Sequence, residues 1–140
     1  MNIKLVCRHA LYANVSGNLC RLKMHTPYEL NVGRAHDFRV KYSLIGPRPV
    51  YQGIKFDFMF ENDDFPKGSL HVIWPEFEDN SGRVKLDKEK PVNGAGTARM
   101  WIVVDELKDR YRERIKIGTR GYFMAGPNKT GECEVVETSW

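Results

Sequence analysis

Cysteine is scarce. Cys7, Cys20 and Cys133 are the only three in 140 residues; odd in number and scattered, they fit neither a disulfide framework nor a zinc-ligand spacing. A reducing, cytoplasmic setting is the expectation. Long hydrophobic runs are missing too. The opening Met1-Asn2-Ile3-Lys4-Leu5-Val6-Cys7-Arg8-His9 is interrupted by charge within nine residues, too soon for a signal core or a membrane span, so no membrane role is expected. Nor does one sign of charge dominate: 22 Lys and Arg stand against 18 Asp and Glu, a formal +4. That excess would draw anionic partners only weakly.

The chemistry-bearing motifs are equally sparse. Gly94-Ala95-Gly96-Thr97 lacks the lysine, the spacing and the following helix of a phosphate-cradling loop, so it reads as a turn between strands and no nucleotide site is expected. The histidines at 9, 25, 36 and 71 show no i, i+4 pairing, and only His36 adjoins a carboxylate, Asp37. No metal and no cofactor is expected from them. Cys7 with His9, or Cys20 with His25, reads as small buried apolar groups rather than an activated thiolate pair. The acidic runs at 61–64 and 76–79 read as solvated loop acids.

What is present is core material: seven Phe, six Tyr and three Trp within a 41% hydrophobic composition, enough for one domain. Turn signals recur at Ser16-Gly17-Asn18, Gly46-Pro47, Pro66-Lys67-Gly68, Asn80-Ser81-Gly82, Asn93-Gly94, Gly126-Pro127-Asn128 and Thr130-Gly131, the cadence of short antiparallel strands. Period-two alternation is clearest at 39–44 and 55–60, where Val40, Tyr42 and Leu44 share one face and Phe56, Phe58 and Phe60 another. Further strands are expected at 3–6, 70–74, 83–86, 98–104, 114–117, 121–124 and 133–136, with a single helical turn or loop excursion over 104–112. The fold class is mostly β, a small closed antiparallel β-barrel with an N-terminal extension or hairpin: residues 1–35 form the extension and 36–140 the barrel.

Two segments carry a resemblance. The run Arg48-Pro49-Val50-Tyr51-Gln52-Gly53-Ile54-Lys55-Phe56-Asp57-Phe58-Met59-Phe60 resembles, without a gap, the Thr-Pro-Phe-Phe-x-Gly-Tyr-Arg-Pro-Gln-Phe-Tyr-Phe run of the C-terminal β-barrel domain of the elongation factor Tu family. Residues 118–135 are similar to that domain's closing hairpin through Gly118, Arg120, Gly126 and Val135, and 84–104 to its middle strands. The resemblance spans about residues 36–138. It implies a closed barrel and a binding role, since in that family the nucleotide sits on a separate domain; the family's barrel meets the T-stem of aminoacyl-tRNA, its own GTPase domain and the exchange factor. Two arginines of the family's last turn are lost, with Met124-Ala125-Gly126-Pro127-Asn128-Lys129 in their place, and Lys55 stands where the family has arginine. Those changes weaken the tRNA contact.

The function expected is therefore a non-enzymatic macromolecule-binding module whose partner is a protein. Arg48, Tyr51, Lys55, Trp101, Arg120, Tyr122 and Lys129 are the candidate contacts. RNA binding is the first alternative, with Lys and Arg on phosphates and aromatics stacked on bases. Basic residues gather at 108–120, six of thirteen, and at 34–48, four of fifteen, although acids interleave the first. A small hydrolase or metal enzyme with a dispersed site is the second. Trp101 is the aromatic to follow, because it alternates with Met100 and Ile102 and one of those faces must be outside unless both are covered.

Overall fold

A computed structural model of the chain describes residues 24–63 and 69–140. The strand expected at 3–6, the turns at 16–18 and 66–68, Cys7, His9 and Cys20 lie outside the described residues. The order is α1 (Tyr28–Val32), β1 (Phe38–Leu44), β2 (Asp57–Phe60), β3 (Ile73–Phe77), β4 (Ala95–Ile102), a 3-10 turn (Asp105–Leu107), α2 (Lys108–Arg114), β5 (Arg120–Ala125) and β6 (Asn128–Thr138). The six strands form one antiparallel sheet in the order β2-β5-β6-β1-β4-β3.

The sheet curls because alternation places one face inside. Phe38, Val40 and Tyr42 of β1, Ala98, Met100 and Ile102 of β4, and Phe123 of β5 are all buried, around Phe58 and Phe77. Burying such a face is the main favourable term. Register shifts at Arg39/Val40 and Phe123/Met124 add local twist, as bulges do. Curling brings β2 close over β5 at Gly121, where a Cβ would lie 2.3 Å from Phe58 Cζ and 2.8 Å from the Met59 carbonyl oxygen. Only glycine fits that crossing.

The sheet is a curled half-barrel and not the fully closed barrel expected. Between its outer strands the contact is one bridge, in which Phe58 and His71 exchange both main-chain hydrogen bonds at 2.9 and 2.8 Å. Elsewhere along the seam a side chain takes the place of a strand. Buried Gln52 accepts from Phe77 N–H at 2.9 Å and donates from Nε2 to the carbonyls of Phe77 and Lys85 at 2.8 and 2.7 Å. Its amide imitates a peptide group against the free edge of β3, which would otherwise leave buried polar groups unpaired.

Several sequence expectations change. The strand sought at 70–74 begins at Ile73, because His71 is used at the seam. Residues 83–86 contribute one bridge, Glu78 to Val84, instead of a strand. Residues 114–117 close α2, with Ile115 N–H bonded to the Tyr111 carbonyl. The helical excursion is longer than one turn, and Gly96 and Thr97 lie within β4 rather than in a turn. Residues 24–35, the described part of the expected N-terminal extension or hairpin, hold α1, ended by Gly33 at φ 78°. Among the described residues no helix is long and apolar enough to cross a membrane.

Replacing Gln52 by Leu keeps the volume but orphans the buried Phe77 N–H and removes two donated bonds. Urea denaturation is expected to show a loss of about 2–4 kcal/mol; a change below about 0.5 kcal/mol would contradict the seam role.

Candidate binding site

The connection between β1 and β2 builds the site. Ile45 N–H bonds to the Thr130 carbonyl at 2.9 Å and Val92 N–H to the Val50 carbonyl at 2.7 Å, so the segment is tied at both flanks. Between Tyr51 and Ile54 it turns sharply: Ile54 N–H reaches the Tyr51 carbonyl at 3.3 Å, and Gly53 has φ 97°. Positive φ at the third position is the mark of a type II turn and favours glycine. The turn sends Gln52 down into the seam and leaves Tyr51 and Ile54 standing together at the surface. They are 41% and 40% exposed, with Ile45 at 43%.

Beneath them opens a cleft of about 840 Å³ at this end of the half-barrel, floored by Val50, Gln52 and Phe56, with Ala125 and Asn128 of the closing hairpin opposite. The hairpin makes its turn with Gly126 at φ 58°, in a two-residue loop between paired Ala125 and Asn128, a position that asks for positive φ. The cleft combines exposed apolar rim, buried floor and rigid walls, the make-up of a recognition surface.

The sequence-derived candidates separate into groups. Arg48 and Tyr51 line the cleft. Lys55 follows the turn and lays its ammonium 4.9 Å from the Trp74 ring centre. Tyr122 and Lys129 meet across the β5–β6 hairpin, Lys129 Nζ lying 4.1 Å from the ring centre. Arg120, on β5, is ringed by Glu61, Glu134 and Glu132 at 3.0, 3.2 and 3.7 Å. Trp101 is not presented to solvent. It is 3% exposed while its neighbours Met100 and Ile102 are buried on the opposite face, so both faces of β4 are covered there. Ile45, Ile54 and Gln52 belong to the cleft but were not candidates; the turn signals at Gly46-Pro47 and the Gly53 turn were their only trace.

Trp101 lies in a second, enclosed arrangement. Its indole N–H donates to Glu76 Oε1 at 3.1 Å, while Glu76 Oε2 accepts from Tyr28 N–H at 2.8 Å and lies 2.5 Å from His25 Nε2. Glu78 takes Arg39 and Arg99 at 2.8 Å each and the Thr97 hydroxyl at 2.6 Å. Both acids are buried, which corrects the reading of 76–79 as solvated loop acids for Glu76 and Glu78, while Asp79 is an exposed loop acid: β3 runs through Phe77, and Glu76 and Glu78 lie under Tyr28 of α1 and the arginines of β1 and β4. Burial opposes ionisation of Glu78, but hydrogen bonds from Arg39, Arg99 and Thr97 outweigh it and hold its carboxyl below the ordinary range. Burial lowers His36, helped by Arg99, and raises Tyr28, helped by Glu76. Each carboxylate oxygen of Glu76 and Glu78 is hydrogen-bonded within the chain, and such a satisfied cluster braces β1, β3 and β4 against one another.

Other titratable groups are likewise enclosed. Burial pushes the Cys133 thiol up to about 12, a neutral group of the core. His71 bonds through Nδ1 to the Tyr111 hydroxyl at 2.8 Å and is lowered by burial and by Arg114. Among the described residues no three His, Cys, Asp or Glu side chains are grouped so as to hold a metal ion. No family model, no curated protein and no solved structure matches the chain.

Because the folded state holds Glu78 below its ordinary value of 4.5, its contribution is complete above about pH 4.5 and is lost as the pH falls through the lowered value. Glu78→Gln should cost about 2–4 kcal/mol at about pH 7, less than for a fully enclosed pair since Arg39 and Arg99 keep some hydration. The gap to the parent should narrow by about pH 3. Denaturant melts at both pH values check this, and an unchanged gap would contradict it.

Proposed function

We propose that the chain is a non-enzymatic binding module that holds a protein partner in the cleft at the end of its half-barrel. The observation that carries this is the pair of exposed apolar side chains, Tyr51 and Ile54, raised by one turn over an 840 Å³ cleft. Tyrosine, arginine and aliphatic groups on a rigid frame are what protein interfaces concentrate at their centres. The likeness to the elongation factor Tu barrel domain enters here as part of the proposal. Of the two segments that carry it, the 48–60 run contributes residues 48–54 and Phe56 to the cleft lining, so binding through this face is consistent with it. The cytoplasm, suggested by the cysteine pattern, is the compartment we assign.

RNA is the weaker partner on the same evidence. Arg120 is surrounded by three glutamates, Arg114 lies 3.0 Å from Asp63, and Lys41 lies 3.8 Å from Glu134. Cations already paired release little when they meet phosphate. The test is capture from lysate on immobilised full chain, washed at low and then high salt, with Ile54→Asp and Arg120→Ala in parallel. A protein that survives high salt, is retained by Arg120→Ala and falls at least about tenfold on Ile54→Asp is expected. RNA eluting with salt, retained by Ile54→Asp, would contradict the proposal.

A further inference from the structure

We infer that the cleft takes a short protein segment in which an Asp or Glu carboxylate stands beside an aliphatic or aromatic side chain. This deepens the binding-module reading and rests on it. Among the described residues lining the cleft, Arg48 is the one charged side chain and no Asp or Glu occurs. Among the described residues, six of the eight other arginines are supplied with a carboxylate by the chain itself: Arg34 by Asp37, Arg39 and Arg99 by Glu78, Arg112 by Asp109, Arg114 by Asp63 and Arg120 by Glu61. Arg48 is exposed, with no hydrogen bond or ion pair among the described residues. A guanidinium left open beside apolar anchors matches a carboxylate bidentately, and its fork makes that pairing directional.

The backbone prepares it for that task. Pro47 and Pro49 flank Arg48; each fixes its own φ, and Pro49 keeps Arg48 out of the helical region. A loop stiffened in this way gives up less entropy on binding. Ile45, Tyr51 and Ile54 then supply apolar contact on the partner's flanking side chain. The formal charge of +4 favours the approach of an acidic segment. A nucleic acid strand fits less well, because it presents a phosphate at every nucleotide and the cleft offers a single cation.

Selection of phage-displayed random dodecapeptides on the full chain tests the assignment, followed by fluorescence polarisation of a selected peptide with the parent, Arg48→Ala, Arg48→Glu and Ile54→Asp. Thermal melts confirm that each variant folds. The expected outcome is enrichment of Asp or Glu next to Leu, Ile, Phe or Trp, with binding about tenfold weaker in Arg48→Ala and undetectable in Arg48→Glu and Ile54→Asp. Peptides without an acidic residue, or bound equally by Arg48→Ala yet lost on Ile54→Asp, would overturn the acidic partner while leaving the cleft as the binding face. No enrichment, or binding indifferent to Ile54→Asp, would overturn both.

Discussion

The side-chain amide of Gln52 ties the fold to the cleft. Six strands of this length curl without closing, and the free edge of β3 must find partners for its buried main-chain groups. At Phe77 the partners are Gln52, whose amide meets it from both its oxygen and its nitrogen, and the Lys85 N–H, while Phe58 and His71 bridge the seam just before the strand. Gln52 points inward, while Tyr51 and Ile54, the two ends of the same tight bend, are exposed.

The opposite region of the sheet solves a different problem. Glu76 of β3 and Glu78 just beyond its end are each enclosed: Glu76 by His25, Tyr28 and Trp101, Glu78 by Arg39, Arg99 and Thr97. Charges so placed hold the segment before β1 against the sheet and couple β1, β3 and β4 through shared partners. Breaking one side of such a pair is costly, whereas the intact pair adds less to stability than to a single arrangement of the strands. Around these two carboxylates the outer face is occupied by groups of the chain itself.

Much of the strand pattern was legible in the sequence. Val40 and Tyr42, and Phe56, Phe58 and Phe60, alternate because one face is buried, and that signal is local. Turn glycines at 46, 82 and 126 take positive φ, as their settings suggested. Less legible was whatever depends on partners far along the chain. Glu76 and Glu78 read as surface acids because His25, Arg39 and Arg99 lie 21 to 51 residues away. Residues 114–117 have β-branched isoleucines, yet packing of Tyr111 on His71 draws their start into α2. Of the candidate contacts, Arg48 and Tyr51 reached the cleft, while Trp101 was covered by α1, an event no pattern within β4 announces.

The central claim is that partners meet the chain at the Tyr51 turn. A photoreactive benzoylphenylalanine placed at position 51, and separately at position 122, followed by irradiation in lysate and mapping of the adducts, addresses it directly. The account predicts protein adducts at 51 that are absent at 122; adducts to RNA, or protein adducts confined to 122, would contradict it.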